Sequence, residues 1–208
     1  HKLIEDFMVL ANETVAKEFD ERKIPFVYRV HEAPTKEKVY ALCDFLKGIG
    51  VRYPQVPDNI TPAYFQEILN TVEETSTQDV VNKMLLRSMQ KAKYANQNLG
   101  HFGLALENYC HFTSPIRRYP DLTIHRIIKD YLHKKITEEK KDDLDIFAFD
   151  AADQSSECER NADAAERDVD DLWKAYLMKD RVGEVFDATI SSVTNFGVFV
   201  ALDNTCEG

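Results

Sequence analysis

The densest run of side chains able to do chemistry is His111-Phe112-Thr113-Ser114-Pro115-Ile116-Arg117-Arg118-Tyr119-Pro120-Asp121-Leu122. It places a histidine, two hydroxyls and two arginines in a Pro-bounded loop that leads into a helix starting near Pro120. The unpaired N–H groups of a first helical turn favour an anion, and a guanidinium offers a planar fork for phosphate oxygens. Thr113, Ser114, Arg117 and Arg118 therefore form a candidate phosphate site, and His125 and Arg126 follow within about one turn. The competing reading is a structural loop whose arginines pair with nearby acids.

Charge segregation supports an anionic partner. The chain of 208 residues has a formal net charge of −10. Yet from position 83 to 135 the basic residues Lys83, Arg87, Lys91, Lys93, Arg117, Arg118, Arg126, Lys129, Lys134 and Lys135 face only Glu107, Asp121 and Asp130. The stretch from Glu138 to Asp171 is acidic in turn. A local cationic field attracts phosphate even on an anionic molecule, although such runs are also ordinary solvated faces. Cys43, Cys110, Cys158 and Cys206 form no CxxC pair, which disfavours a zinc site and suggests a reducing compartment. No apolar run reaches bilayer-spanning length. The chain opens without a start methionine, directly into a helical pattern, and is expected to be a piece of a longer protein.

The elements that would position the loop can be read from periodicity. Leu3 to Asp20 predicts an amphipathic helix with Glu5, Met8 and Asn12 on one stripe, and Phe26–Val30 a short strand. Helices follow over Thr35–Leu46, from Thr61-Pro62 to about Val72, and from Thr77 to about Tyr94, where Lys83, Arg87 and Lys91 would line one edge. Asn96–Pro120 has no helical period. After Pro120, Leu122, Ile127, Ile128, Tyr131 and Leu132 predict a buried stripe. A long helix of mixed charge spans about Phe147–Met178, with a possible break near Gln154, and Trp173 at helical spacing from Val169 and Tyr176 reads as core. Beyond Gly183 the period changes to two, as in the opening of a β-meander.

The arginine loop, with Gly100-His101-Phe102-Gly103-Leu104-Ala105-Leu106, Met84-Leu85-Leu86-Arg87-Ser88-Met89 and Ala165-Glu166-Arg167-Asp168-Val169, resembles the ribonuclease II / ribonuclease R family of processive 3′→5′ exoribonucleases, on the ribonuclease R branch. Gly183–Val200, with Phe196-Gly197-Val198-Phe199, is similar to the opening of an S-one-type OB fold. The expected architecture is α+β and predominantly helical. Residues 1–181 would be the C-terminal portion of the catalytic domain, and 182–208 the first strands of the OB barrel.

The resemblance implies release of nucleoside 5′-monophosphates from single-stranded RNA 3′ ends. By position in the motifs it assigns Arg117 to the scissile phosphate and Glu166 to the 3′-terminal pocket as catalytic residues. Glu5, Met8, Asn12, Tyr109, His111, Thr113, Ser114, Arg118, Tyr119, His125, Arg126 and Arg167 are carried as RNA-binding candidates. It implies magnesium for the parent enzyme, bound by aspartates upstream of the first helix; no equivalent motif occurs here, so no metal ligand is assigned. Asp142-Asp143-Leu144-Asp145 reads as a solvated face. The parent is expected to be a cytoplasmic monomer with no membrane partner. Two other functions compete: a non-catalytic RNA-binding relative, and a protein-interaction module using the acidic helix.

Overall fold

The computed structural model describes residues 1–75 and 77–202. The chain divides into two compact units, His1–Glu157 and Cys158–Gly208. Cys206 lies outside the described residues.

In the first unit, α1 (Lys2–Glu21) buries Asn12, Ala16 and Phe19 along its C-terminal half. The chain then turns into β1 (Tyr28–Val30), which pairs antiparallel with β2 (Lys93–Ala95). The expected strand is thus shorter at its start. Between these strands lie α2 (Lys36–Gly48), α3 (Pro62–Val72) and α4 (Gln78–Ser88). Thr35 caps α2, its hydroxyl accepting the Lys38 N–H, and Pro sits in the first turn of α3, where a missing N–H does no harm. The three helices enclose their own core of Val39, Leu42, Leu46, Phe65, Ile68, Val72, Val81 and Leu85.

The expected helix through Tyr94 stops six residues early. Ser88 is its last residue, Met89 is already extended, and Tyr94 is buried in β2 opposite Arg29. Met89 and Ala92 continue a helical spacing, but strand pairing with β1 overrides it. Lys91 is therefore off the helix, and the proposed three-cation edge does not exist as a helical stripe.

A second core joins α1, β1, β2, α5 (Tyr119–Leu132) and the start of α6 (Glu138–Met178). Phe19 and Phe26 stack with centroids 4.6 Å apart, and Ala148, Ala151 and Ala152 let α6 approach closely. On α5 the buried face is Pro120, Asp121, Thr123, Ile124 and Ile127, with Ile128 and Tyr131 at its margin; Leu122 and Leu132 are exposed, contrary to the predicted stripe. α6 begins nine residues earlier than expected and has no break at Gln154. Ser155 and Ser156, the polar residues beyond that point, return their hydroxyls to the carbonyls of Ala151 and Ala152. Ser156 also accepts the Tyr94 N–H at 2.9 Å, tying α6 to β2.

A tight crossing brings Gly103 against His31. The Gly103 N–H donates to His31 Nδ1 at 3.0 Å, leaving Nε2–H to donate to the Gln90 carbonyl at 2.9 Å. A Cβ on Gly103 would lie 2.7 Å from that Nδ1, whereas one on Gly48 would meet nothing. Gly103→Ala is expected to destabilise the chain by about 1–3 kcal/mol. Gly48→Ala, inside α2, should be neutral or slightly stabilising. Urea unfolding of the two variants checks the contrast.

The second unit contains the rest of α6 and a hairpin, β3 (Ala188–Thr194) and β4 (Gly197–Leu202), antiparallel with a register shift between Ile190 and Ser192. Two paired strands occupy the stretch where a period of two is expected, with the turn at Asn195 and Phe196. Trp173 is not core: it is 63% exposed, edge-on to Tyr176. Helical spacing shows that residues share a face, not that anything covers it.

Candidate nucleic-acid interface

The arginine loop is held from below by α1. Asn12 is only 3% exposed and uses its polar atoms on the segment that enters the loop. Its Nδ2 donates to the Tyr109 hydroxyl (3.2 Å), its Oδ1 accepts the Phe112 N–H (3.0 Å), and its carbonyl accepts the Cys110 thiol (3.2 Å). Arg29 N–H, from β1, donates to the Tyr109 carbonyl. Asn12, carried as an RNA-binding candidate, thus spends its polar atoms on the segment that positions the loop. Its stripe partners differ: Met8 is 40% exposed, and Glu5 lines a shallow groove of about 420 Å³ with Lys2, Asp6, Val9, Leu10, Glu13 and Leu104.

Tyr109 and His111 belong to a run of edge-to-face rings, His31–His101–Tyr109–His111–Tyr94, with centroid spacings of 5.1, 5.2, 5.7 and 5.6 Å. His111 Nδ1 is 3.0 Å from the Tyr94 hydroxyl, and the Arg29 guanidinium lies over the Tyr94 ring. Burial, reinforced by Arg118, Arg29, His101 and Arg117, pushes His111 down to about 3. Burial, then His31 and Arg29, pushes His101 down to about 4. Moving an imidazolium from water into the low-dielectric interior penalises the charged form, so both rings stay neutral in the folded chain, while unfolded histidines take up a proton near pH 6.5. Stability should accordingly be full above about pH 6.5 and fall as pH drops from there toward 4 and 3, by up to roughly 1.4 kcal/mol per pH unit for each ring. Thermal melts at pH 7 and pH 5 check this, with His111→Gln expected to reduce the difference.

The loop separates its two arginines. The Ser114 carbonyl accepts the N–H groups of Arg117 and Arg118, closing the turn. Asp121, fully buried in the first turn of α5, accepts Arg118 Nε at 2.9 Å, its terminal nitrogen at 2.8 Å and the Ser114 N–H at 2.7 Å. Arg118 is thus engaged internally with Asp121, as in the structural reading of these arginines. Arg117 is exposed and forms no ion pair among the described residues, and Tyr119 and Arg126, further along the chain, are exposed as well. His125 stacks on Phe112 at 4.4 Å, and its Nε2 is 3.0 Å from the Phe112 carbonyl, so it braces the loop. Thr113 Oγ1 is buried without a hydrogen-bond partner among the described residues.

Glu166 and Arg167 lie on the part of α6 in the second unit, both exposed, with Arg167 Nε donating to the Asp163 carbonyl. Sequence reasoning missed Asp121 as the partner of Arg118, although a carboxylate three residues after an arginine at a helix start is a readable pairing signal. It also missed the His31–Gly103 lock, for which no local signal exists. Among the described residues no group of three or more His, Cys, Asp or Glu could hold a metal ion. Asp142, Asp143 and Asp145 are exposed.

The predominantly helical α+β unit that carries the braced arginine loop, and the β-hairpin region that follows it in sequence, each match a known family. The RNB domain model matches residues 1–134, and the model described as S1 RNA binding domain matches residues 179–208. The chain belongs to the RNB domain family. It is 42% identical over 207 residues to ribonuclease R 1 of Lactococcus lactis, covering 100% of this chain and 25% of that protein. To ribonuclease R of Aquifex aeolicus it is 44% identical over 209 residues, covering 100% and 29%. The solved structure of Mycoplasma genitalium RNase R in complex with ribose-methylated single-stranded RNA matches with a TM-score of 0.92 and 35% identity, over 99% of this chain and 32% of that one. The chain thus spans between a quarter and a third of the length of these relatives.

Proposed function

We propose that the chain is part of a longer 3′→5′ exoribonuclease that hydrolyses single-stranded RNA to nucleoside 5′-monophosphates, and that Arg117 grips the phosphate being cleaved. The observation that carries this reading is the division of labour in the loop: Asp121 holds Arg118, Asn12 and His125 hold the approach, and Arg117 alone of the pair stays available. Its planar fork suits two non-bridging phosphate oxygens. Water attacks phosphorus, the bond to the ribose O3′ breaks, the terminal nucleotide leaves with its 5′-phosphate, and the shortened RNA keeps a 3′-hydroxyl.

On the same reading Tyr119 and Arg126 contact flanking nucleotides, and Glu5 and Met8 line the path; Glu166, in the second unit, is carried for the last nucleotide by its motif alone. The family's ribonuclease R relatives, one of them solved with single-stranded RNA, support the RNA substrate. Magnesium would be held by carboxylates of the longer protein outside this chain. Anisotropy titration of labelled single-stranded RNA with residues 1–208 tests the reading. Salt-sensitive binding without mononucleotide release on adding magnesium is expected; magnesium-dependent release by a clean preparation would show that the chain holds its own metal site.

A further inference from the structure

Elements other than those carrying Arg117 build a second cationic feature in the first unit. Lys38 of α2, Leu86 and Arg87 of α4, Met89, Gln90 and Lys91 of the connection, Lys93 of β2 and Glu32 just after β1 line a cleft of about 630 Å³. The lining carries four cations and one carboxylate, and Glu32 is paired with Lys93 at 2.7 Å. Arg87 and Lys91 are exposed and make no ion pair among the described residues. Lys38 Nζ reaches only neutral oxygens, the Met89 carbonyl at 3.4 Å and Gln90 Oε1 at 3.5 Å. Such a concentration of uncompensated charge, on a chain of net charge −10, draws in polyanions. The floor is fixed, because the Gln90 carbonyl is bonded to His31, which Gly103 holds in turn. Leu86, 69% exposed at the lip, adds an apolar contact suited to a ribose or base edge.

We infer that this cleft binds the phosphodiester backbone of RNA, with Arg87, Lys91 and Lys38 pairing phosphate oxygens. The inference rests on the RNA reading above and adds a second contact region for the same strand. Its physical signature is counterion release: each phosphate contact on a single strand contributes about 0.7 to the slope of log affinity against log salt.

The test uses residues 1–208 and a fluorescent single-stranded RNA, titrated by anisotropy across a series of potassium chloride concentrations. Arg87→Gln with Lys91→Gln is expected to lower the slope by about 1.4, and Lys38→Gln alone by about 0.7. These side chains lie on the surface, so thermal melts should match the parent. Lys17→Gln with Lys23→Gln removes the same charge from the end of α1 and the turn after it, and should leave the slope unchanged. An unchanged slope in the cleft variants overturns the inference while leaving the RNA reading intact. Equal drops in both double variants also overturn it, since net charge alone would then explain them. Failure of the unsubstituted chain to bind RNA overturns the RNA reading itself, and the cleft's role with it.

Discussion

Arg117→Ala in the longer enzyme is expected to reduce turnover on RNA by about a hundredfold or more, with a much smaller loss of RNA affinity. A guanidinium that is exposed and makes no ion pair among the described residues contributes most when charge builds on the phosphate oxygens, so its loss falls on the chemical step rather than on ground-state binding. Arg117→Lys should rescue poorly, because an ammonium keeps the charge but not the planar two-point geometry. Single-turnover kinetics with saturating enzyme separate the two effects. Near-normal turnover in Arg117→Ala would remove it from the reacting centre.

Asp121→Ala should have the largest effect on stability of any single change in the loop. It leaves the Arg118 fork and the Ser114 N–H without their shared acceptor in a buried setting, a loss of about 3 kcal/mol or more. For a chain of this size that corresponds to a fall in melting temperature of roughly 6–12 °C. Arg118→Lys keeps a charge opposite Asp121 but can reach fewer of its oxygens, so it should lie between the parent and Asp121→Ala. Because Asp121 acts through the loop, turnover in the longer enzyme should also fall at temperatures where the variant is still folded, and Arg117→Ala added on top should cost less than it does alone. Calorimetry with the corresponding kinetic cycle checks both halves. Full additivity of Asp121→Ala and Arg117→Ala would show that Asp121 does not position Arg117.

Much of this arrangement is legible before any coordinates. The donor density around Thr113–Arg118 marks a phosphate-compatible loop, Pro120 marks the start of α5, and the change to a two-residue period past Gly183 marks the hairpin. What periodicity cannot supply is which side of an element is covered, and by what. Asn12 shares a stripe with Glu5 and Met8, yet the segment 109–112 crosses only its end of α1, so one residue becomes an internal brace while the others stay open. Trp173 keeps core spacing with Tyr176 and is exposed. Lys91 keeps helical spacing with Arg87, but the strand pairing of Tyr94 with Arg29 ends the helix at Ser88. The partition of the two adjacent arginines depends on Asp121, whose burial follows from how α5 packs on α1 and α6 rather than from the loop itself.

The proposed hydrolysis of RNA from its 3′ end by the longer protein that carries this chain is tested most directly by product analysis. The longer protein carrying the chain is incubated with magnesium and a single-stranded RNA labelled at its 5′ end in one reaction and at its 3′-terminal nucleotide in another. Release of the 3′ label first, as a nucleoside 5′-monophosphate, together with stepwise shortening of the 5′-labelled strand, is the predicted result. Release of the 5′ label first, internal cuts, or an intact RNA beside a stably bound protein would contradict it.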